Sequence, residues 1–325
     1  MKIKAGLVTA PFEGEIAMLD SKEPGPSDVI IKTEYSFISN GTEQHTHRQE
    51  FPETQVSFPM VMGYQCTGRI EKVGVAVKGF SVGQRIFTRR NDFIGVSNPI
   101  GGVHADRIVT AESNVIGLSE NVDVMEASAL VIAQVGYNTA YRFTESNGKT
   151  VMVIGDGLIG QFTAQVLVAR GFRVLLSGHH DYRLKIAKAA CPGLFVANSG
   201  NADFEKIFKD FAGNRVDMAV DSVGAPATIE ECLRRVRNLG VVAISGYMGG
   251  NQVLKIHQAF ESETTVHFPA GATRERLIST MEMIGKGDIK VAPLVTHKFK
   301  GTDFAKACQL LGNKNAEFLG ILLEW

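Results

Sequence analysis

The sequence predicts an α/β protein in which a β-rich part precedes a doubly wound parallel sheet with helices on both faces. Between residues 28 and 107 the chain consists of short alternating runs separated by glycine, as in DVIIKTEYSFIS and GRIEKVGVAVKGF. That pattern is typical of antiparallel strands. From about residue 126 onward, apolar strands alternate with helical periods. This alternation favours a parallel sheet covered by helices.

The elements of the second part follow one another in a regular order. TVMVIG is a strand, residues 158–169 form a helix, and FRVLLSG is the next strand. In ADFEKIFKDFA, one helical face is made of Phe204, Ile207, Phe208 and Phe211. VDMAVDSVG and GVVAISGY are later strands. The chain then continues through the helix RERLISTMEMIGKG and the segment PLVTHKF to a closing helix and strand.

The composition excludes several classes of partner. The 325 residues include 34 basic and 34 acidic side chains, so the chain has no net charge. This balance argues against nucleic acid or an anionic membrane surface and leaves a small molecule as the expected partner. We find no signal-peptide pattern and no apolar run of the roughly eighteen residues that a membrane span needs. We therefore expect a cytoplasmic protein of about two domains.

The four cysteines are scattered along the chain, at Cys66, Cys191, Cys232 and Cys308. No C-x-x-C pair occurs, so the sequence predicts neither a disulfide framework nor a structural zinc site built on cysteine. Cys232 and Cys308 fall on the apolar faces of amphipathic helical periods. We interpret both as core residues.

A glycine motif follows the strand VMVI and opens the next helix. Gly155, Gly157 and Gly160 have the G-x-G-x-x-G spacing of a dinucleotide-binding turn. The first glycine allows the tight turn, the second lets a pyrophosphate approach, and the third packs helix on sheet. The N–H groups at the helix start, including those of Leu158 and Ile159, are then available to the phosphates. The sequence predicts a dinucleotide site here.

The end of the next strand bears on the choice between NAD and NADP. An NAD site has an acid about twenty residues after the glycines, which binds the ribose 2′-hydroxyl. Here the strand ends in Ser177 and Gly178, and His179, His180 and Arg183 follow. Because the last three could hold a 2′-phosphate, we favour NADP over NAD. The alternative is that they form a solvated helix start.

These features together resemble the medium-chain dehydrogenase/reductase superfamily, which includes the alcohol dehydrogenases and quinone reductases. The resemblance implies a GroES-like catalytic domain at residues 1–125, completed by 266–325, and a Rossmann cofactor domain at 126–265. It also implies that Val223, Gly246 and Tyr247, at the ends of VDMAVDSVG and GVVAISGY, take part in cofactor binding. Members of the superfamily commonly pair through the edge strand of the cofactor-domain sheet. In this chain TTVHF is the segment predicted to form that strand, so a homodimer is expected.

In zinc-dependent members of the superfamily, a segment similar to G-I-C-G-T-D-x-H supplies a zinc cysteine and a proton relay. ISNGTEQH aligns with it, so that Asn40 replaces the cysteine, whereas Thr42 and His45 keep the relay positions. A second ligand segment, G-H-E, corresponds to GYQ, in which Tyr64 and Gln65 replace the two ligands. Zinc prefers thiolate, imidazole or carboxylate donors. The sequence is therefore identified as a zinc-free member that binds no metal.

Without a metal, a hydrogen-bond donor has to polarise the substrate oxygen. Tyr64 is the predicted proton donor, Thr42 would pass the proton on, and His45 would exchange it with solvent. Asn40 and Gln65 would add neutral donors for a developing oxyanion. The alternative for Tyr64 is that its ring only fills the former metal site.

Two other polar residues of the segment have structural interpretations. We expect Glu43 to make a hydrogen bond or a salt bridge, and His47 to be a solvated loop histidine. Neither is assigned to the reaction.

A narrower resemblance, carried by ISNGTE, PMVMGYQCTGRIEKVG and FLGILLEW, is to the bacteriochlorophyllide a dehydrogenase group. It implies a secondary alcohol and a ketone as reactants. The leading hypothesis is thus a zinc-independent NAD(P)-dependent oxidoreductase that interconverts a ketone and a secondary alcohol. The alternatives are an NADPH-dependent enoyl or quinone reductase, and a dinucleotide-binding sensor without turnover.

Overall fold

The computed structural model describes residues 1–51, 56–250 and 252–325. It divides into one unit made of Met1–Val131 and Val295–Trp325 and another made of Ile132–Leu294. The first unit is β-rich and the second is built on a parallel sheet. The predicted α/β class, with a GroES-like part and a Rossmann-like part, is confirmed.

The first unit begins with strands that hold two short helices between them. Its elements up to residue 127 are β1 (Lys2–Ala10), β2 (Glu13–Asp20), β3 (Asp28–Ile38), α1 (Asn40–His47), β4 (Met60–Val61), β5 (Cys66–Val73), β6 (Arg85–Thr88), β7 (Arg107–Ala111), β8 (Val115–Gly117) and α2 (Val124–Ala127). β1 pairs with β2 and β4, and all these pairings are antiparallel, as predicted. α1 comes directly after the longest strand, β3.

The second unit alternates strands and helices, and α3 leads into it. Its elements are α3 (Leu130–Ala140), β9 (Thr150–Ile154), α4 (Leu158–Ala169), β10 (Arg173–Gly178), α5 (Asp181–Ala190), β11 (Phe195–Asn198), α6 (Phe204–Ala212), β12 (Val216–Asp221), α7 (Pro226–Arg235), β13 (Val236–Ile244), α8 (His257–Glu261), β14 (Thr265–His267) and α9 (Arg274–Lys286). The strands are parallel, in the order β11-β10-β9-β12-β13-β14. The direction of the strand order reverses between β9 and β12, where ligands bind in sheets of this kind.

The chain then returns to the first unit through β15 (Val295–Lys300), α10 (Phe304–Gly312) and β16 (Gly320–Glu324). β16 pairs with β3, and the sheet runs in the order β15-β16-β3-β5-β6-β8, with β7 also paired to β3. One apolar core of this unit gathers Phe304, Cys308 and Leu311 of α10 against Ile38 and Met62. β3 and the α1 segment that follows it are therefore fixed by the C-terminal return.

The division into units differs from the predicted domain ranges. The first boundary lies at Val131 rather than 125, and residues 266–294 belong to the second unit rather than to the return. β14 extends the parallel sheet by pairing with β13. The Gln165 side chain of α4 also exchanges two hydrogen bonds with the backbone of Lys290. Both contacts attach this stretch to the second unit.

The cysteines lie where the helical patterns place them. Cys232 on α7 and Cys308 on α10 are buried core residues, and all four cysteines are free thiols. Within the described residues, no helix combines the length and the apolar character that crossing a membrane would require.

Candidate functional site

The glycine turn between β9 and α4 has two positions that exclude a side chain and one that faces open space. Gly155 has φ +114°, in the region that favours glycine, and a Cβ there would lie 2.3 Å from Ser222 Oγ. A Cβ on Gly160 would lie 1.9 Å from the Gly155 carbonyl oxygen. A Cβ on Gly157 would meet nothing within 4 Å, so the space in front of that residue is open. The three roles match those of a dinucleotide-binding turn.

The start of α4 provides the groups that a pyrophosphate needs. Gly157 is the N-cap, and Leu158, Ile159 and Gly160 form the first turn, whose N–H groups have no acceptor within the helix. The first intrahelical bond runs from Gln161 N to the Gly157 carbonyl at 3.0 Å. Free N–H groups and the positive end of the helix dipole, beside an open space, fit the phosphates of a dinucleotide.

A buried carboxylate at the end of β12 holds the turn that follows this strand, and the backbone carbonyl of the same residue accepts from Ser245 N and Gly246 N after β13. Asp221, at the end of β12, accepts hydrogen bonds from Gly224 N at 2.8 Å and Thr228 Oγ1 at 2.6 Å. Burial raises the pKa of this carboxyl group, although the hydrogen bonds act in the opposite direction. Gly246 packs so closely that a Cβ would lie 2.0 Å from Gly224 N. Val223 is 49% exposed beside this junction and is open to a ligand.

Tyr247, which follows Gly246, is also partly exposed. Its carbonyl lies against Gly224, where a Cβ would approach it to 2.2 Å. The three residues implied for this part of the cofactor site, Val223, Gly246 and Tyr247, thus lie together at the carboxyl ends of β12 and β13.

At the end of β10, a carboxylate that the sequence analysis passed over organises the chain. Asp156, between the first two glycines, is buried, and its Oδ2 accepts hydrogen bonds from His179 N and His180 N, both at 2.9 Å. The same carboxylate meets the His180 ring at 3.0 Å and Arg183 Nη1 at 3.4 Å. Gly178 is required there, because a Cβ would lie 2.2 Å from Asp156 Oδ2.

The residues predicted at this strand end have different surroundings. Ser177 is buried within β10, and its carbonyl accepts a hydrogen bond from Gly155 N at 2.8 Å. Its predicted part in cofactor binding is thus to shape the turn through its backbone. His179 is exposed and its ring lies 3.3 Å from Ser199 Oγ. His180 and Arg183 both contact the Asp156 carboxylate, so a negative charge lies among the residues predicted to bind a 2′-phosphate.

In the first unit, the residues predicted to be catalytic lie around the Tyr64 phenol. Tyr64 OH donates a hydrogen bond to Ser39 Oγ and lies 3.3 Å from Thr42 Oγ1. Burial raises the pKa of this phenol above its usual value, whereas the two hydroxyl contacts act to lower it. Tyr64 is therefore a neutral phenol at pH 7. Ser39 is the N-cap of α1 and Thr42 lies in its first turn.

The two amides predicted as oxyanion donors are directed elsewhere. Asn40 Nδ2 donates to the Leu319 carbonyl, which leaves Oδ1 as a buried acceptor without a partner. Gln65 is fully buried, with Nε2 donating to the Phe37 carbonyl at 3.3 Å and Oε1 accepting from Val131 N at 3.0 Å. Both amides are thus engaged with backbone groups, and their part as oxyanion donors stays a prediction. In both residues the amide nitrogen donates to the backbone of another segment, and in Gln65 the amide oxygen also accepts from one.

His45 lies on the partly exposed side of α1. Its Nδ1 is 2.6 Å from Glu50 Oε2, and the side chain is 31% exposed. The imidazole therefore has access to water and lies beside a carboxylate. This position is compatible with the outer end of the predicted relay.

Glu43 makes the structural contacts expected of it, and its partner is a buried histidine. Its Oε1 accepts from Ser39 N at 2.8 Å, and Oε2 lies 3.1 Å from His104 Nε2. His104 Nδ1 lies 2.8 Å from Ser36 Oγ, which also accepts from Trp325 Nε1. Because the indole can only donate, Ser36 Oγ accepts from it and keeps its own proton available for Nδ1; with that bond made, Nε2–H is directed at Glu43.

His47 is buried rather than solvated, which corrects the expectation of a loop histidine. Its Nδ1 accepts a hydrogen bond from Phe12 N at 3.0 Å, and its ring stacks on Phe12 with 4.7 Å between centroids. The pKa of this imidazole is lowered to about 4, mainly by burial; Glu43 acts to raise it and His104 to lower it. His47 thus belongs to the packing of α1 on β1 and β2.

The residues at the former ligand positions do not suit zinc. Asn40, Tyr64 and Gln65 offer neutral oxygen and nitrogen atoms, and both amides are already hydrogen-bonded to the backbone. Zinc in proteins is bound mainly by thiolate, imidazole and carboxylate. Across residues 1–51, 56–250 and 252–325, no group of three or more such side chains is arranged to hold a metal ion.

Comparison with known families matches both units. Residues 25–120 match the alcohol dehydrogenase GroES-like domain, and residues 159–285 match the family described as zinc-binding dehydrogenase. The chain is 26% identical to L-threonine 3-dehydrogenase of Pyrococcus abyssi, over 95% of each chain. It is 25% identical to the enzyme of the same name from Legionella pneumophila, over 98% of this chain and 99% of the relative.

Solved structures share the fold over the full length. A putative zinc-binding dehydrogenase from Sinorhizobium meliloti bound to NADP has a TM-score of 0.86 at 18% identity, covering 100% of both chains. An Escherichia coli alcohol dehydrogenase complexed with NADH has a TM-score of 0.85 at 20% identity, covering 100% of this chain and 99% of that one. An Escherichia coli oxidoreductase of unknown specificity has a TM-score of 0.87 at 21% identity, with coverage of 100% and 99%.

A dinucleotide turn in a Rossmann-like unit, together with a GroES-like unit, defines an NAD(P)-dependent oxidoreductase. The chain is an alcohol-dehydrogenase-like member of the medium-chain dehydrogenase/reductase superfamily. The resemblance seen in the sequence is thereby confirmed at the level of the superfamily.

Three residues of the two half-sites escaped the sequence analysis. Ser39 precedes α1 as a serine at an N-cap position, a signal that could have been recognised. Asp156 lies inside the glycine motif, at a position that the motif leaves open to any residue type. His104 is separated from Glu43 by 61 residues, and no local pattern connects them.

The low pKa of His47 predicts a specific loss of stability in acid. Below about pH 6.5 the unfolded chain takes up a proton that the folded chain accepts only near pH 4, so acid favours unfolding. The free energy of unfolding should fall over this range by roughly 3 kcal/mol more in the wild type than in His47→Gln. Urea unfolding at a series of pH values measures this difference. His257→Gln, at an exposed histidine, is the control, and parallel curves for wild type and His47→Gln would contradict the assignment.

Proposed function

We propose that this chain is a zinc-independent oxidoreductase that interconverts a ketone and a secondary alcohol with a nicotinamide dinucleotide. The observation that carries the proposal is the partly buried Tyr64 phenol, which is hydrogen-bonded to two hydroxyl groups of the α1 segment. A neutral phenol at a metal-ligand position is suited to donate a proton to a substrate oxygen. A charged metal is not needed for that role.

The nicotinamide supplies the hydride in reduction and accepts it in oxidation. In the reductive direction, Tyr64 gives its proton to the oxygen on which negative charge develops. The raised pKa keeps the phenol protonated until that charge appears. The phenol then regains a proton from the hydroxyl groups of Ser39 and Thr42, and Thr42 is the more exposed of the two. His45, farther along α1, exchanges the proton with water.

The named activities of the relatives support a hydroxyl and carbonyl pair as reactants. The Pyrococcus and Legionella relatives are named for dehydrogenation at carbon 3 of L-threonine. A structural neighbour from Bacillus subtilis is a 2R,3R-butanediol dehydrogenase. These names support alcohol oxidation or carbonyl reduction over reduction of activated C=C bonds.

The Tyr64 hydroxyl is the most direct target for a test. Tyr64→Phe should lower kcat by roughly 100- to 10,000-fold on ketones or secondary alcohols while leaving dinucleotide binding intact, because the ring remains and only the proton donor is lost. Tyr35→Phe is the matched control, since it removes a phenol of the same unit from β3. Steady-state kinetics with a panel of ketones, enones and quinones gives the measurement.

Wild-type turnover in Tyr64→Phe would contradict the assigned role. Reduction of enones or quinones in place of ketones would favour the enoyl or quinone reductase alternative. Tight dinucleotide binding with no turnover on any member of the panel would favour the sensor.

For the cofactor we propose NADP over NAD, on the basis of His179, His180 and Arg183 at the end of β10. The Sinorhizobium neighbour was solved with NADP and an Escherichia coli neighbour with NADH, so relatives of this fold use either dinucleotide.

The side chain of Arg183 offers a test of this preference. Arg183→Ala should narrow the ratio of NADPH to NADH affinity, because a cation near the 2′-phosphate is lost. Fluorescence titration of each reduced dinucleotide measures both dissociation constants. Tighter binding of NADH than of NADPH by the wild type would contradict the preference.

We also propose a cytoplasmic homodimer that acts on a small molecule and binds neither nucleic acid nor membranes. β14 is the edge strand of the parallel sheet, and Phe260 and Phe268 beside it are 81% and 60% exposed. A second copy pairing along this edge would cover them. Light scattering should give the mass of two chains, and a monomer mass at every concentration would exclude the dimer.

A further inference from the structure

The Asp156 side chain links two parts of the second unit, which its position within the glycine motif does not predict. Asp156 follows β9, yet its side chain reaches the end of β10 and contacts the backbone of both His179 and His180. The side chain is 6% exposed, and its carboxylate forms an ion pair with Arg183 and contacts the His180 ring. One carboxylate therefore joins the phosphate turn to the strand end that faces the adenosine ribose in sheets of this type.

The carboxylate also occupies the volume in which a strand-end side chain would begin. A Cβ on Gly178 would lie 2.2 Å from Asp156 Oδ2 and 2.5 Å from Asp156 Cβ. An acid at the end of this strand is the usual partner of an unphosphorylated ribose. In this chain the strand end has no side chain, and a carboxylate from the glycine turn lies in its place.

Gln161 fixes this arrangement from the other side. Its Nε2 donates to the Asp156 carbonyl at 2.9 Å and to the Arg183 carbonyl at 3.1 Å. Because Gln161 is 1% exposed, the turn and the first turn of α5 are held together away from water. Asp156 and Arg183 thus have little freedom to separate when a ligand arrives.

We propose that Asp156 is a specificity-determining residue that limits the preference for a 2′-phosphorylated dinucleotide. This inference rests on the proposed dinucleotide-dependent function. The carboxylate offsets the charge of Arg183, and it lies close enough to Arg183 and His180 to repel a dianionic 2′-phosphate bound by the same groups. An unphosphorylated ribose brings no such charge and is not disfavoured.

The experiment compares Asp156→Asn with Asp181→Asn in the full chain. Asp181 begins α5 in the same region, but its carboxylate is exposed and accepts from Asn198 Nδ2 at 2.7 Å. Titration of NADPH and NADH should show the affinity ratio moving toward NADPH by about tenfold in Asp156→Asn. In Asp181→Asn the ratio should change by less than about threefold, because solvent screens an exposed charge.

The mechanism of the effect is tested in a second background. If Asp156 acts through Arg183, the shift produced by Asp156→Asn should shrink when Arg183 is already alanine. A purely structural role would weaken both dinucleotides alike and leave the ratio unchanged. Asp156→Ser removes the same charge and keeps a short acceptor for the His179 and His180 amides, so it replaces Asp156→Asn if that variant does not fold.

An unchanged ratio in both charge-removing variants, or a shift toward NADH, would overturn the inference and leave the proposed function intact. If the wild type binds neither NADPH nor NADH, both the proposed dinucleotide-dependent function and this inference are contradicted. Equal shifts in Asp156→Asn and Asp181→Asn would also overturn it, because the effect would then be a general one of net charge.

Discussion

The hydrogen bond from the Tyr64 phenol to the hydroxyl of Ser39 is the interaction on which the proposed catalytic site of the first unit depends. Ser39 is the N-cap of α1, and its N–H is held by Glu43, which is in turn held by His104. Since these groups are buried, water cannot take their place, and each partner fixes the next. The phenol is therefore attached to a polar network that continues to Ser36 and Trp325 at the far end of the first unit.

The cofactor half depends on a steric constraint of another kind. A Cβ has no room at Gly155 and Gly160 of the glycine turn or at Gly178 at the end of β10. The space in front of Gly157 is open. The free N–H groups of α4 can then meet phosphates, and Asp156 can reach across to the next strand. Backbone shape supplies the binding surface in this unit, whereas side-chain hydrogen bonds supply it in the other. Each half of the proposed chemistry thus has its own physical basis.

The sequence predicted the elements of the fold because their signals are local. α4 begins and ends at the predicted residues, and the apolar faces of α6, α7 and α10 are buried as their periodicity indicated. The division at Leu294 could not be predicted, because the stretch after residue 266 carries no sign of which unit it packs against. The partners of Asn40, Gln65 and His47 could not be predicted, since each lies on an element distant in sequence. The roles of their side chains depend on that packing.

We propose that in this protein hydroxyl groups and a phenol take the role that a metal has in zinc-dependent relatives. Metal analysis of the purified protein, combined with turnover measured after exhaustive chelation, tests this proposal. We expect no stoichiometric zinc and unchanged turnover after chelation. Loss of activity on chelation, with recovery when zinc is returned, would contradict it.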